Sequence, residues 1–326
     1  MPRLANRVST SVSGLRSCQV LTIAAISASR GQFLGRYWMK IVLVTGFRGK
    51  TGRQVAAALA RRNGVTVRGA GRRVSDLNVP GAFVSRFDWE DSESWPEALA
   101  DVDAIYLVKP KTADPAQTVA SFLRLAGNIE RVVLLSEIDA SSRDEATDER
   151  KVERVVESSA ISWTILRPNW FMQNFTEPSF YLEAIRDAGE LKLPTGGQPT
   201  SFIDTRDIAE VAAAALLDTG HAGRSYTLTG PQALTLSEAA GSIGQAAGHH
   251  VRYIDPPLDE YLEALSDKGV AKTTVEYYRR IYTCIQNGGT SILSPHVEQV
   301  TGHPPRTFSA FVEENKNVWR GSAAHG

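Results

Sequence analysis

The feature that most constrains this chain lies between residues 40 and 60. Lys40-Ile41-Val42-Leu43-Val44-Thr45 is a short, continuous, β-branched run. Such a run suits a strand buried on both faces of a parallel sheet. Glycines follow at positions 46, 49 and 52, and then Val55, Ala58 and Leu59 recur at helical spacing. A strand with no face left for water needs helices on both sides of its sheet. The sequence supplies them. Further strand candidates lie at Val65–Arg68, Phe83–Phe87, Asp103–Val108, Arg131–Leu135 and Trp163–Arg167, with helical patterns at Ser92–Ala100, Thr118–Ala126 and Asp148–Ser158. Strands alternating with helices mean βαβ crossovers, hence an α/β fold with a doubly wound parallel sheet.

After Pro168 the alternation becomes irregular. Asp207–Leu217 is an alanine-rich helix, Tyr226–Leu228 a short strand, Ser237–Ala247 a helix and Val251–Ile254 a strand, and the remainder is helical as far as Trp319. This half reads as a smaller, mostly helical C-terminal lobe beside the carboxyl ends of the strands, where open α/β sheets bind ligands. The expected organisation is a sheet domain over 39–167, a substrate lobe over 168–320 interleaved with the core, and a tail over 321–326. Residues 1–38 hold no acidic residue but arginines at 3, 7, 16, 30 and 36. Because Met39-Lys40 runs straight into the first strand, they are expected to be a disordered extension upstream of a natural start; a transit peptide is the alternative.

Composition narrows the partners. Lys+Arg 36 equals Asp+Glu 36, which gives no footprint for nucleic acid. No stretch approaches the roughly 18–20 apolar residues of a membrane span. Two separated cysteines, Cys18 and Cys284, make neither a disulfide framework nor a metal cluster and fit a reducing, cytoplasmic setting. The six histidines show no metal-ligand spacing, and no Gly-x-Ser-x-Gly elbow is present. A small-molecule substrate and no metal are expected.

The glycine turn selects the ligand. Between a buried strand and a helix, glycines permit a tight bend and a close backbone approach to a pyrophosphate, which the helix N-terminus then favours. Gly49-Lys50-Thr51 resembles the end of a P-loop, but that motif needs glycine at position 44, which is Val44. ATP and GTP are excluded on that ground. An NAD site usually carries an acid at the end of the second strand to bond the ribose 2′-OH. Here the sequence reads Gly69-Ala70-Gly71-Arg72-Arg73, and Arg72 or Arg73 can fork onto a 2′-phosphate. NADP(H) is therefore expected over NAD(H).

These residues carry a family resemblance. Val44–Gly52, Phe87–Trp89, Tyr106–Pro110, Leu134–Ser136, Thr164–Phe175, Phe202–Ile208, Leu228–Pro231 and Asn315–Trp319 stand in family order. On them the chain resembles the NmrA-like group of atypical short-chain dehydrogenase/reductases, and most of all its ergot-alkaloid reductase branch (festuclavine and agroclavine dehydrogenase-like). The resemblance implies a Rossmann core and a nicotinamide cofactor. It places Gly46, Arg48, Gly49, Lys50, Thr51 and Gly52 at the phosphates, Arg72 at the ribose and Asp88 near the adenine. Leu107, Val108, Lys109 and Pro110 would line the ribose and nicotinamide, Ser136 would end the fifth strand, and Pro168 and Asn169 would close over the nicotinamide. Trp170, Phe171 and Asn174 would face substrate. The bland reading of Trp170, Phe171 and Phe175 is core aromatics.

One departure bears on mechanism. The usual reductases of the larger superfamily pair a Tyr with a Lys four residues later to protonate an alkoxide. No Tyr here has that partner, and counting back from Trp163 puts Glu145 and Glu149 about where the pair would lie. Hydride addition to an iminium needs no proton donor, because the electrophile is already cationic. The ergot reductases act on such substrates, so an imine or iminium is expected first and a quinone or enone next. Carboxylates near 145–149 or Trp170 would hold the cation. Lys109, Ser136 and Trp170 are the catalytic candidates. The alternative is a non-catalytic NADP(H) sensor of the NmrA type.

Overall fold

The structure, a computed structural model, describes residues 39–72 and 82–320. The expectations for 1–38, Arg73 and 321–326 lie outside the described residues. Seven strands form one parallel sheet: β1 (Lys40–Val44), β2 (Val65–Gly71), β3 (Ala82–Arg86), β4 (Ala104–Val108), β5 (Arg131–Leu135), β6 (Ser162–Pro168) and β8 (Arg224–Leu228). Their order is β3-β2-β1-β4-β5-β6-β8. A short parallel pair stands apart, β7 (Glu190–Lys192) with β9 (Arg252–Ile254).

The alternation of β1 explains the layers. Val42 and Val44 point into one core and Leu43 into another, all three fully buried. The first core lies under α1 (Lys50–Ala60) and α5 (Thr205–Leu217), which pack on each other through small residues such as Ala56, Ala209 and Ala213. The second lies under α2 (Trp95–Leu99), α3 (Pro115–Leu125) and α4 (Asp148–Glu157), and holds Phe122 and Trp95 edge-on. Each fully buried Val or Leu contributes about 1.5–3 kcal/mol. A third core, built on Phe175, Phe202, Phe308, Phe311 and Trp319, holds α6 (Leu236–Ala247), α7 (Leu258–Asp267), α8 (Lys272–Gln286) and α10 (Phe308–Asn315) together as the lobe. The short α9 (His296–Thr301) packs on α5.

After Pro168 the chain leaves the sheet, crosses the carboxyl ends of the strands as the segment 169–181, returns through α5 to β8 beside β6, and only then completes the lobe. The strand order reverses between β1 and β4, which opens the crevice where doubly wound sheets take ligands.

Candidate active site

The turn after β1 is shaped by contacts that exclude a side chain. Gly46 has φ +63, in the left-handed region, and its carbonyl accepts from the Gly49 amide at 2.8 Å. A Cβ on Gly52 would lie 2.2 Å from the Gly46 oxygen, so only glycine fits where α1 meets the turn. Helix α1 starts at N-cap Gly49 with no side-chain cap and no acid in its first turn. Its first amides therefore face the crevice unmet by protein carboxylates, which is the condition an anionic phosphate requires. Phe47 is buried and lies over β2. A Cβ on Gly69 would meet its ring at 2.8 Å, which gives that glycine a packing role that sequence reading missed.

Arg48 is exposed on the turn, Thr51 is buried in α1, and Arg72 is exposed just past the end of β2. Asp88, half-buried after β3, has its main chain held by Ser94 and by the Trp95 indole. Leu107 spends its side chain in the second core, whereas Val108 packs against Gly46. Pro110 and Pro168 are buried.

Segment 169–181 forms a strap across the strand ends. Asn169 is buried and fully committed inside the protein. Its Nδ2 donates to Ser201 Oγ and to the Thr290 carbonyl, both at 2.7 Å, and its Oδ1 accepts from the Trp170 amide at 2.9 Å. Gln173 donates to Asp204 at 2.9 Å and accepts from the Thr205 amide at 2.9 Å. The Trp319 indole donates to the Phe175 carbonyl at 2.7 Å. Trp170 stands half-buried against Tyr282, ring centroids 5.9 Å apart. The strap is clasped to α1 at two points. Lys50 Nζ donates to Asn174 Oδ1 at 2.8 Å and sits 3.3 Å above the Phe180 ring, with Phe171 at 5.9 Å; Arg53 pairs with Glu177.

The position of the missing dyad is occupied by an ion network. Glu149 is buried and pairs with Lys109, with Arg143 at 3.0 Å and with Arg280 of α8 at 3.6 Å. Burial raises its carboxyl pKa, but the hydrogen bond and charge of Lys109 outweigh burial and hold it below the ordinary range. Arg143 also reaches Glu137 and Asp139 at 2.6 Å each, and the Tyr277 hydroxyl donates to Glu137 at 3.3 Å. Glu145 is bound to Arg154 at 2.7 Å. The carboxylates expected to hold a substrate cation are thus already matched by the protein's own cations. The Lys109 ammonium is held by Glu149. Ser136 donates at 2.6 Å to Glu153, a fully buried carboxylate also held by Arg150 and Arg167, so its hydroxyl is spoken for. Arg143, Glu153 and the α8 residues Tyr277 and Arg280 carry no sequence signal, because each gains its role only through the fold.

A cleft of about 490 Å³ opens beside this network, lined by Asp139, Ser142, Arg143, Arg280, Cys284 and Asn287 among others. Burial pushes the Cys284 thiol up to about 11, which makes it a poor nucleophile. Among the described residues no cluster of His, Cys, Asp and Glu could hold a metal ion, and no helix is long and apolar enough to cross a membrane.

A glycine turn at the switch point of a parallel sheet, under a strap that closes the strand ends, defines a Rossmann oxidoreductase of the NAD(P)-dependent class. The family model described as NmrA-like matches residues 39–301, and the chain belongs to that family. It is 31% identical to an NAD(P)H azoreductase of Xenophilus azovorans over 84% of this chain and 97% of that protein. It is 30% identical to an agroclavine dehydrogenase of Claviceps purpurea over 86% of this chain and 98% of the other. An NADPH-dependent quinone oxidoreductase of Escherichia coli, solved with NADPH, shares the fold with TM-score 0.71 at 22% identity, over 84% of this chain and 99% of that one.

Proposed function

We propose that this protein is an NADPH-dependent reductase of small, neutral, electron-poor conjugated carbonyl compounds, quinones and enones ahead of iminium ions. The observation that carries this reading is the charge balance at the strand ends. Glu145 and Glu149 are paired, while Lys50 has no carboxylate in salt-bridge contact among the described residues. Such a site favours an acceptor that becomes anionic on reduction over one that arrives as a cation. A quinone reductase among the structural relatives and an azoreductase among the sequence relatives support it.

The cofactor fits on the structure's own terms. The uncapped first turn of α1 and the space above Gly46, Gly49 and Gly52 would seat the pyrophosphate, and Arg72 would reach the 2′-phosphate. When bound, the nicotinamide supplies a hydride. The chain's own residues orient and enclose: Val108 backs the turn, Asn169 fixes the strap to the loop at Thr290, and Trp170 packs on Tyr282 of the lobe. Positioning of this kind supplies much of an enzyme's rate advantage. The test is a panel of benzoquinones, naphthoquinones, cyclic enones and cyclic imines, each with NADPH and with NADH, followed by loss of the reduced cofactor's absorbance. Turnover on quinones or enones with NADPH preferred is the expected outcome. Turnover on imines alone would return the reading to the iminium class. No turnover on any acceptor, with tight NADPH binding, would favour a cofactor sensor.

A further inference from the structure

Lys50 occupies a place that every local rule disfavours. It is the first residue of α1, where the helix dipole repels a cation. It is half-buried against Phe180 and Phe171, and its hydrogen-bond partner is the neutral carbonyl oxygen of Asn174. Nearby, Lys109 is paired with Glu149, Arg143 with Glu137, Asp139 and Glu149, and Arg167 with Glu153. A sequence that breaks local rules at one residue is commonly serving the site there. The position is also topological. A dinucleotide laid from the glycine turn toward the ends of β4, β5 and β6 must pass between α1 and the strap, and Lys50 bridges those two elements.

We propose that Lys50 is the proton donor of the reaction. This rests on the reading above, that the acceptor is a conjugated carbonyl. A bound reduced nicotinamide would supply the hydride to such an acceptor, and the electron pair of the acceptor's π bond would shift to its oxygen. The Lys50 Nζ–H bond breaks, the proton joins that oxygen as an O–H, and the neutral amine regains a proton from solvent. Burial draws the ammonium down to about 8; Glu177 opposes this, and Arg53 and Lys111 reinforce it. Of the groups facing it, Glu177 is tied to Arg53, and Asn174, Phe171 and Phe180 do not titrate. The group is thus charged at neutral pH and close enough to its midpoint to give the proton up, as a general acid requires.

The test compares wild type with Lys50→Met and Lys50→Arg, using NADPH and the best quinone or enone. Lys50→Met should lower kcat about 100-fold or more at saturating NADPH, in the range of general acid catalysis, a loss larger than any it causes in NADPH affinity read by cofactor fluorescence. Lys50→Arg should not restore kcat, because guanidinium holds its proton too tightly. The fall of wild-type kcat above about pH 8 should vanish in both variants. Independently of turnover, acylation of the wild-type Lys50 amine, followed across pH by peptide mass spectrometry, should show a midpoint near 8. Three results would overturn the proposal: an NADPH Kd weakened tenfold with kcat unchanged, full rescue by arginine, or an acylation midpoint at the ordinary lysine value. If wild type itself reduces no quinone or enone, the substrate reading fails first, and the acylation midpoint still tests the lysine.

Discussion

Gly52 and Lys50 stand two residues apart and answer to opposite demands: one has no room for any side chain, the other is held with a long one against its own preferences. Gly52→Ala forces a carbon to within 2.2 Å of the Gly46 oxygen. The turn must open, at a cost of about 2–3 kcal/mol in stability, within the usual range for backbone effects of this kind. NADPH binding should weaken more than tenfold, read by fluorescence titration beside a urea melt. Arg72→Ala should raise the Kd for NADPH about tenfold or more and leave that for NADH unchanged, because only the 2′-phosphate is lost as a partner; equal losses for both cofactors would refute the ribose assignment. The turn was legible in the sequence because its logic is local. The surroundings of Lys50 were not, since Asn174 lies 124 residues away and nothing in either local pattern announces the other.

Among the elements, the five strands β1 to β5 and the helices between them could be read off hydrophobic runs, and β5 was placed at its observed bounds. Strand β6 runs on through Pro168, the position at which the sheet and the lobe were expected to part. The three-residue β7 carried no detectable pattern, and membership of β8 in the main sheet is a fact of topology that periodicity does not encode. The polar helix α4 shows the same limit. Its Glu153 is marked by nothing in the local pattern, yet it is fully buried beneath Ser136, Arg150 and Arg167. Glu153→Gln leaves the buried Arg150 and the half-buried Arg167 each short of a partner and should destabilise the protein by about 3 kcal/mol in urea unfolding; a loss under about 1 kcal/mol would show that water reaches the pair. Replacing the whole set with apolar residues need not cost as much.

For the molecule as a whole, equal numbers of acids and bases hide a sharp division of environments. Burial raises the pKa of Glu153, but its bonds to Arg167 and Ser136 hold it below the ordinary carboxylate value; Asp204, also buried, is held down by Arg206. Groups depressed in the folded state contribute stability that is present above the unfolded pKa of about 4 and lost as pH falls through the folded value. Urea midpoints should therefore stay level from pH 7 to about pH 5 and then fall, and the fall should be shallower in Glu153→Gln. A second whole-molecule expectation follows from the family match, which begins at residue 39. A chain begun at Met39 should fold and bind NADPH with the affinity of the full-length protein, measured side by side.

The bond from the Trp319 indole to the Phe175 carbonyl ties one of the last described residues to the middle of the strap. On the ribosome this sets a timetable. The glycine turn and the first strands emerge early and can assemble while synthesis continues. The strap emerges at mid-chain, but its seam cannot be sewn until translation has all but ended. A stop codon a few residues before Trp319 would leave a protein without the fastening of the strap and without a fully buried member of its third core.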